Sequence, residues 1–203
     1  MTVVPCGESL APAHQDTSPL LTAEESWQLR QQPKFADQLL ELDEIELVIV
    51  SPPGAQHGRV GSRLARILDE YIFQLGRGAL IAHDTGLLIH RDPDTVLGPN
   101  LIVYADPMDW EDLPEGWLGK IPPLVVEIVS PSEDAARLAS KVAKYLQAGV
   151  NMVCMVEPHT IQVQAHCPGT EARILNESDT LTGSDVMPGF VCTVADLLRL
   201  PGA

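Results

Sequence analysis

PPLVVEIVSPSEDAARLASKVAKYLQAGVNMVCMVEP, residues 122–158, is the stretch that decides how this chain folds. Its first part, around Leu124 to Val129, is apolar on both faces of a strand except at Glu127, the pattern of a strand covered on two sides. Ser130-Pro131-Ser132 breaks it, and Ser132 is placed to cap a helix running from about Glu133 to Ala148. Leu138, Val142, Tyr145 and Leu146 recur at spacings of three and four and form the core stripe of that helix. Gly149 stands at the C′ position, where a left-handed residue closes a helix. NMVCMVEP then returns as a second strand.

Glu127 is the sharpest single feature of the stretch. A carboxylate centred in LVVEIV loses its water on folding and needs a cation, a metal or hydrogen bonds in exchange. An Arg or Lys in a structural ion pair, or a sheet face open to solvent, meets that need as well as a functional site does.

Working outward, Thr22 and Glu25 have capping-box spacing and predict a short helix over TAEESWQLRQQ. LLELDEIELVIV reads as one or two strands, and Ser51-Pro52-Pro53-Gly54 as a turn. From Gly58 to about Leu75, Val60, Leu64, Ile67, Leu68, Tyr71 and Leu75 trace an amphipathic helix ended by Gly76 or Gly78. ALIAHDTGLLIHRD reads as two strands about Asp84-Thr85-Gly86, and LIVYA as another. If LIVYA and LVVEIV pair antiparallel across the acidic loop that carries Trp110 and Trp117, Asn100 and Glu127 become neighbours. TIQVQAH and ARILNE give further strands, and TVADLLRL a closing helix. Residues 1–20, rich in Pro, Ser, Gly and Ala, read as a mobile tail before one domain over 21–203. The expected class is α/β (α+β), a mixed central sheet flanked by helices.

Composition narrows the function. Against 28 Asp and Glu the 203-residue chain has 13 Lys and Arg, a formal charge of -15, so no broad basic surface can wrap a nucleic acid. Any phosphate contact must come from cations gathered locally. Arg137, Lys141 and Lys144 fall on one helical stripe, and Arg59, Arg63 and Arg66 on another, although ordinary pairing of Glu133 with Arg137 and of Arg66 with Glu70 accounts for part of each. His57, between the Pro-Pro-Gly turn and the second helix, is placed either to cap that helix or to meet a phosphate. The N-terminus lacks a basic, apolar leader and no 18 apolar residues are consecutive, so neither secretion nor a membrane span is expected. Four scattered cysteines, with no CxxC pair, suit a reducing cytoplasm. Phosphate-loop, GxSxG, HExxH and GxGxxG patterns are absent.

The order SPPGAQHGRV, TVLGPNLIVYADP, PPLVVEIVSPSEDAARLASKVAKYLQAGV, MVCMVEP and VMPGF resembles the bacterial putative restriction endonuclease family of the PD-(D/E)XK nuclease superfamily, over about residues 20–200. The resemblance implies a restriction endonuclease-like fold, hydrolysis of nucleic-acid phosphodiesters, most readily of DNA, and a Mg²⁺ or Mn²⁺ cofactor. It also implies homodimers. Carried over residue by residue, it makes Glu127 a metal ligand. The lysine expected two positions later is Val129 here, and its role falls to Lys141. On the nuclease reading, Arg137 or Lys144, and with them His57, are the residues expected to face phosphates. Asn100 stands where the family has the Asp of Pro-Asp, so the metal site exchanges an anionic ligand for an amide oxygen. Leu97 replaces a commonly basic residue. Either another carboxylate such as Glu46 or Asp84 compensates, or the chain is a degenerate nuclease that keeps the fold and a binding role, or the amide is an engineered replacement of the Asp. The competing reading is a non-catalytic, dimeric interaction module that uses the Trp110/Trp117 loop.

Overall fold

The computed structural model describes residues 21–35, 38–44, 46–50, 52–131 and 133–199. The expected tail at 1–20 and the expected cap Ser132 lie outside them. In chain order the elements are α1 (Ala23–Arg30), β1 (Leu39–Asp43), β2 (Glu46–Val50), α2 (Ala55–Leu75), β3 (Ala79–Ala82), β4 (Leu87–His90), β5 (Thr95–Leu97), β6 (Leu101–Tyr104), β7 (Leu124–Ile128), α3 (Ala135–Gln147), β8 (Met152–Glu157), β9 (Gln162–His166), β10 (Arg173–Leu175), β11 (Thr180–Thr182), β12 (Val191–Thr193) and α4 (Val194–Leu198).

A six-stranded sheet in the order β10-β9-β8-β7-β6-β3 forms the centre. Its pairs are antiparallel except β7 with β8, which run parallel and are joined by α3. Strand alternation sorts β7 between two layers. Leu124, Val126 and Ile128 face Val60, Leu64, Leu68 and Ile72 of α2. Val125 faces the other way, onto Val142 and Tyr145 of α3. Glu127 shares that second face, so period-two geometry alone delivers it to α3. The two cationic stripes of the sequence therefore lie on opposite sides of the sheet and form no common surface. Arg63 of the α2 stripe is held by the Asp196 carbonyl at 2.8 Å.

A second sheet, β2-β1-β5-β4, folds over the α3 side, where Leu87 and Leu97 join the core formed with Val125 and Tyr145. The segments about Asp84-Thr85-Gly86 are strands as expected, but β3 joins the six-stranded sheet and β4 the four-stranded one. His83 and Asp84 both take left-handed backbone, φ 66° and 53°, and turn the chain from one sheet into the other. β5, β11 and β12 were not foreseen; each is only three residues long.

α2 begins at Ala55, earlier than its apolar stripe suggests, and closes on left-handed Gly76. The Asp134 carboxylate caps α3, accepting from the Ala136 N–H at 3.1 Å, so the expected start at Glu133 moves to Ala135. Glu133 instead accepts from the Ser130 N–H at 2.7 Å and closes the turn that leaves β7. The Thr22–Glu25 capping box opens α1 as expected.

Trp117 fastens α1 to the rest of the molecule. Its ring meets Trp27 edge-on with centroids 5.0 Å apart, and its Nε1 donates to the Ala23 carbonyl at 2.9 Å and Ser26 Oγ at 3.0 Å. With Trp117 engaged in this way, only Trp110, 83% exposed, is left of the tryptophan surface considered for partner binding. A Cβ at Gly86 would stand 2.2 Å from the Trp117 ring. Gly86→Ala is therefore expected to dislodge the indole and cost about 1–3 kcal/mol in urea unfolding followed by tryptophan fluorescence. A loss under half a kcal/mol, on the order of an ordinary surface change, would contradict this packing.

Candidate active site

β6 and β7 pair antiparallel with Leu101 opposite Val126, and just beyond that pair the strands separate. Asn100 occupies the separation. Its Oδ1 accepts from the Ile128 N–H at 2.6 Å, in place of a further rung of the ladder, and its Nδ2 donates to Asp84 Oδ1 at 2.5 Å. Asn100 and Glu127 are brought together as the hairpin argument expects.

Glu127 is 5% exposed and its partners come from α3. The Tyr145 hydroxyl donates to Glu127 Oε1 at 2.8 Å, and Lys141 Nζ lies 3.1 Å from the same oxygen. Lys141 and Tyr145 are four residues apart and so share one side of the helix. The ammonium also meets Glu41 Oε1 at 2.8 Å, Glu41 Oε1 takes the Gly98 N–H at 3.0 Å, and Arg137 Nη2 reaches Glu41 Oε2 at 2.7 Å. Lys141 thus sits between two buried carboxylates. Glu133 has no part in holding Arg137.

Asn100, Glu127, Glu41, Lys141 and Arg137 wall one cleft of about 560 Å³ between the two sheets and α3, with Tyr145 behind them. Its lining includes Glu41, Asp84, Glu127, Glu133 and Asp134, five carboxylates against two permanent cations, Arg137 and Lys141, together with His57. Burial raises the Glu127 carboxyl above its ordinary value against the pull of Lys141, and burial likewise raises Asp84 against the Asn100 amide and the nearby His57 and Lys141. Burial works to lower the Lys141 amine, but Glu127 and Glu41 outweigh it and keep the ammonium charged.

Lys144, expected to face a phosphate, does not line this cleft. One turn beyond Lys141 it reaches the end of β1, where it pairs with Asp43 and lies 3.9 Å from Glu44. Glu46, offered as a compensating carboxylate, is exposed and stands opposite Asp43 in the β1–β2 ladder. Asp84 is the one of that pair that reaches the site. Glu41 was missed, although Leu39-Leu40-Glu41-Leu42 shows the same sign as Glu127, a carboxylate inside an apolar run. Tyr145 was read only as core.

The profile of the Uma2 family, described as "Putative restriction endonuclease", matches residues 25–195. The chain belongs to the Uma2 family. Its fold is similar to the crystal structure of a putative nuclease of DUF820 from Anabaena variabilis ATCC 29413, with a TM-score of 0.65 and 15% identity over 78% of this chain and 88% of that one. No curated protein matches the sequence. Among the described residues no helix is long and apolar enough to cross a membrane.

A divalent cation of the kind the sequence resemblance implies would need a set of oxygen donors. Among the described residues no three His, Cys, Asp or Glu side chains are grouped to hold a metal. Asp84 and Glu127 line the cleft on either side of Asn100, and the Asn100 Oδ1, which accepts from the Ile128 N–H, has a second lone pair, which makes two carboxylates and an amide oxygen. All are hard oxygen donors suited to Mg²⁺ or Mn²⁺, in a cleft with excess negative charge. The set fits a weakly held divalent ion.

A pH dependence follows from the two raised carboxyls. Between their ordinary values, 3.8 for Asp84 and 4.5 for Glu127, and their raised ones, the folded chain binds more protons than the unfolded chain. Their contribution to stability is therefore greatest in acid and is lost as pH rises through that window. Asp84→Asn is expected to flatten this slope in urea titrations from pH 4 to 7 without divalent ions. An unchanged slope would mean that Asp84 does not carry it.

Proposed function

We propose that this Uma2 protein is a metal-dependent nucleic-acid phosphodiesterase in which Asp84 and Glu127 supply the charged ligands and the Asn100 amide oxygen the third. The observation that carries this reading is the bridge made by Asn100, whose amide touches Asp84 on one side and the Ile128 N–H, next to Glu127, on the other. What Mg²⁺ or Mn²⁺ supplies when bound is Lewis acidity at the phosphoryl oxygen and a balance for the acidic wall.

The chain's own groups do the rest. Lys141, kept charged between Glu127 and Glu41, donates to the attacking water and holds it beside the carboxylate. Glu41 and Tyr145 fix the lysine and Glu127 in place, a form of preorganisation. Arg137, partly exposed, and His57, which also lines the cleft, meet the phosphates beside the scissile bond.

The test is cleavage of single-stranded and plasmid DNA by the native chain in Mn²⁺, beside Asp84→Asn and Glu46→Gln. The expected result is cleavage by the native chain, unchanged in Glu46→Gln and lower by on the order of 10²-fold in Asp84→Asn. Full activity in Asp84→Asn would remove Asp84 from the ligand set. No cleavage by the native chain would favour the degenerate reading.

A further inference from the structure

A second cavity of about 460 Å³ lies on the other side of α3 from the acidic cleft. Leu138, Ala139 and Val142 of α3 form one wall, while Met155 of β8 and His166 of β9 contribute from the sheet. Helical spacing explains the division: Arg137 and Lys141 turn to the cleft, and Leu138 and Val142, each one residue on, turn to this groove. The two spaces meet where the chain leaves β7, because Ser130, Pro131 and Glu133 line both.

The groove is apolar except for a few groups with defined demands. His166 Nε2 is buried and has no hydrogen-bond partner among the described residues. A buried polar nitrogen in that condition costs free energy until something bonds to it. Glu133 and Glu157 are the charged residues of the lining, so an anion is unwelcome, whereas exocyclic amines find acceptors. A flat, apolar-faced group with a hydrogen-bonding edge and no charge suits this lining, and it would be attached to a phosphate in the adjoining cleft.

Resting on the phosphodiesterase reading above, we propose that the groove beside α3 is a nucleobase pocket, which receives one unpaired base next to the phosphate held in the acidic cleft. His166, whose Nε2 is closed off in the free chain, turns that nitrogen to the edge of the base as it enters, and Leu138, Val142 and Met155 cover its faces. A base inside a duplex cannot enter such a pocket without leaving its stack. The preferred substrate is therefore single-stranded, or duplex at a mismatch, nick or end.

The test uses the full chain with Ca²⁺ in place of Mg²⁺ and three fluorescein-labelled DNA probes: a single-stranded oligonucleotide, the same sequence with abasic residues throughout, and its duplex. A fourth oligonucleotide carries one 2-aminopurine. The base-bearing strand is expected to bind about tenfold more tightly than the abasic strand, the worth of one well-stacked base. The 2-aminopurine emission should change on binding. Ala139→Trp, a substitution at an exposed helix position that fills the groove, should erase the difference and leave abasic affinity unchanged. His166→Ala, which adds no bulk, should reduce it if the Trp variant does not fold. Equal affinity for base-bearing and abasic strands, or variants that weaken both alike, would overturn the pocket while leaving the cleft reading intact. Binding of none of the probes would overturn both.

Discussion

Asn100→Asp is expected to strengthen divalent-metal binding by about 10²-fold, the range over which ligand charge tunes such oxygen sites, and to raise the cleavage rate with it. The new carboxylate can still accept from the Ile128 N–H, but it has no proton to donate to Asp84, which now faces a like charge where it had an amide at 2.5 Å. Without metal the variant is therefore expected to lose about 1–3 kcal/mol, the cost of an unmet buried polar group. Divalent ions should restore that loss by binding the folded state alone. Thermal unfolding in EDTA and in Mn²⁺ reads both effects. A variant as stable as the native chain in EDTA, and no more responsive to Mn²⁺, would mean that Asn100 and Asp84 do not share a site.

The opposite change is Glu127→Gln. It keeps an oxygen for the Tyr145 hydroxyl, and Lys141 retains Glu41 at 2.8 Å, so no buried charge is stranded. The fold is expected to survive with a loss of about 1–2 kcal/mol, well below the cost of breaking a buried ion pair outright. Cleavage should fall by on the order of 10³-fold, since a charged ligand and the anchor of the lysine go together. Circular dichroism and a single-turnover assay on the same preparation separate these outcomes. Activity within about tenfold of native would remove Glu127 from the chemistry.

Much of this site could be read in the chain because its decisive part is local. β7, α3 and β8 follow one another, the apolar runs fix both strand faces, and the alternation that buries Val125 on the α3 side carries Glu127 with it. The nearness of Asn100 to Glu127 followed from one hairpin. Glu41 and Asp84 were harder. They reach the cleft because the β2-β1-β5-β4 sheet folds over α3, and that placement depends on the left-handed turn at His83-Asp84 and on packing between sheets rather than on a local period. The same limit applies to the lysines. Spacing puts Arg137, Lys141 and Lys144 on one stripe, but only the end of β1 decides that Lys144 meets Asp43 outside the cleft.

On the phosphodiesterase reading, the arrangement about Lys141 is also what would let an acidic protein address a polyanion. Its global charge of -15 repels nucleic acid, and the cleft wall is acidic too. Attraction then depends on cations held at one place, which makes binding as well as catalysis sensitive to divalent ions and to salt.

The most direct measurement is the anomalous scattering of Mn²⁺ in crystals of the native chain. The result expected is a peak bounded by the carboxylates of Asp84 and Glu127 beside Asn100, absent from Glu127→Gln crystals prepared in the same way. Saturating Mn²⁺ with no peak in that cleft, or a peak that persists unchanged in Glu127→Gln, would contradict the assignment of this site as the metal centre.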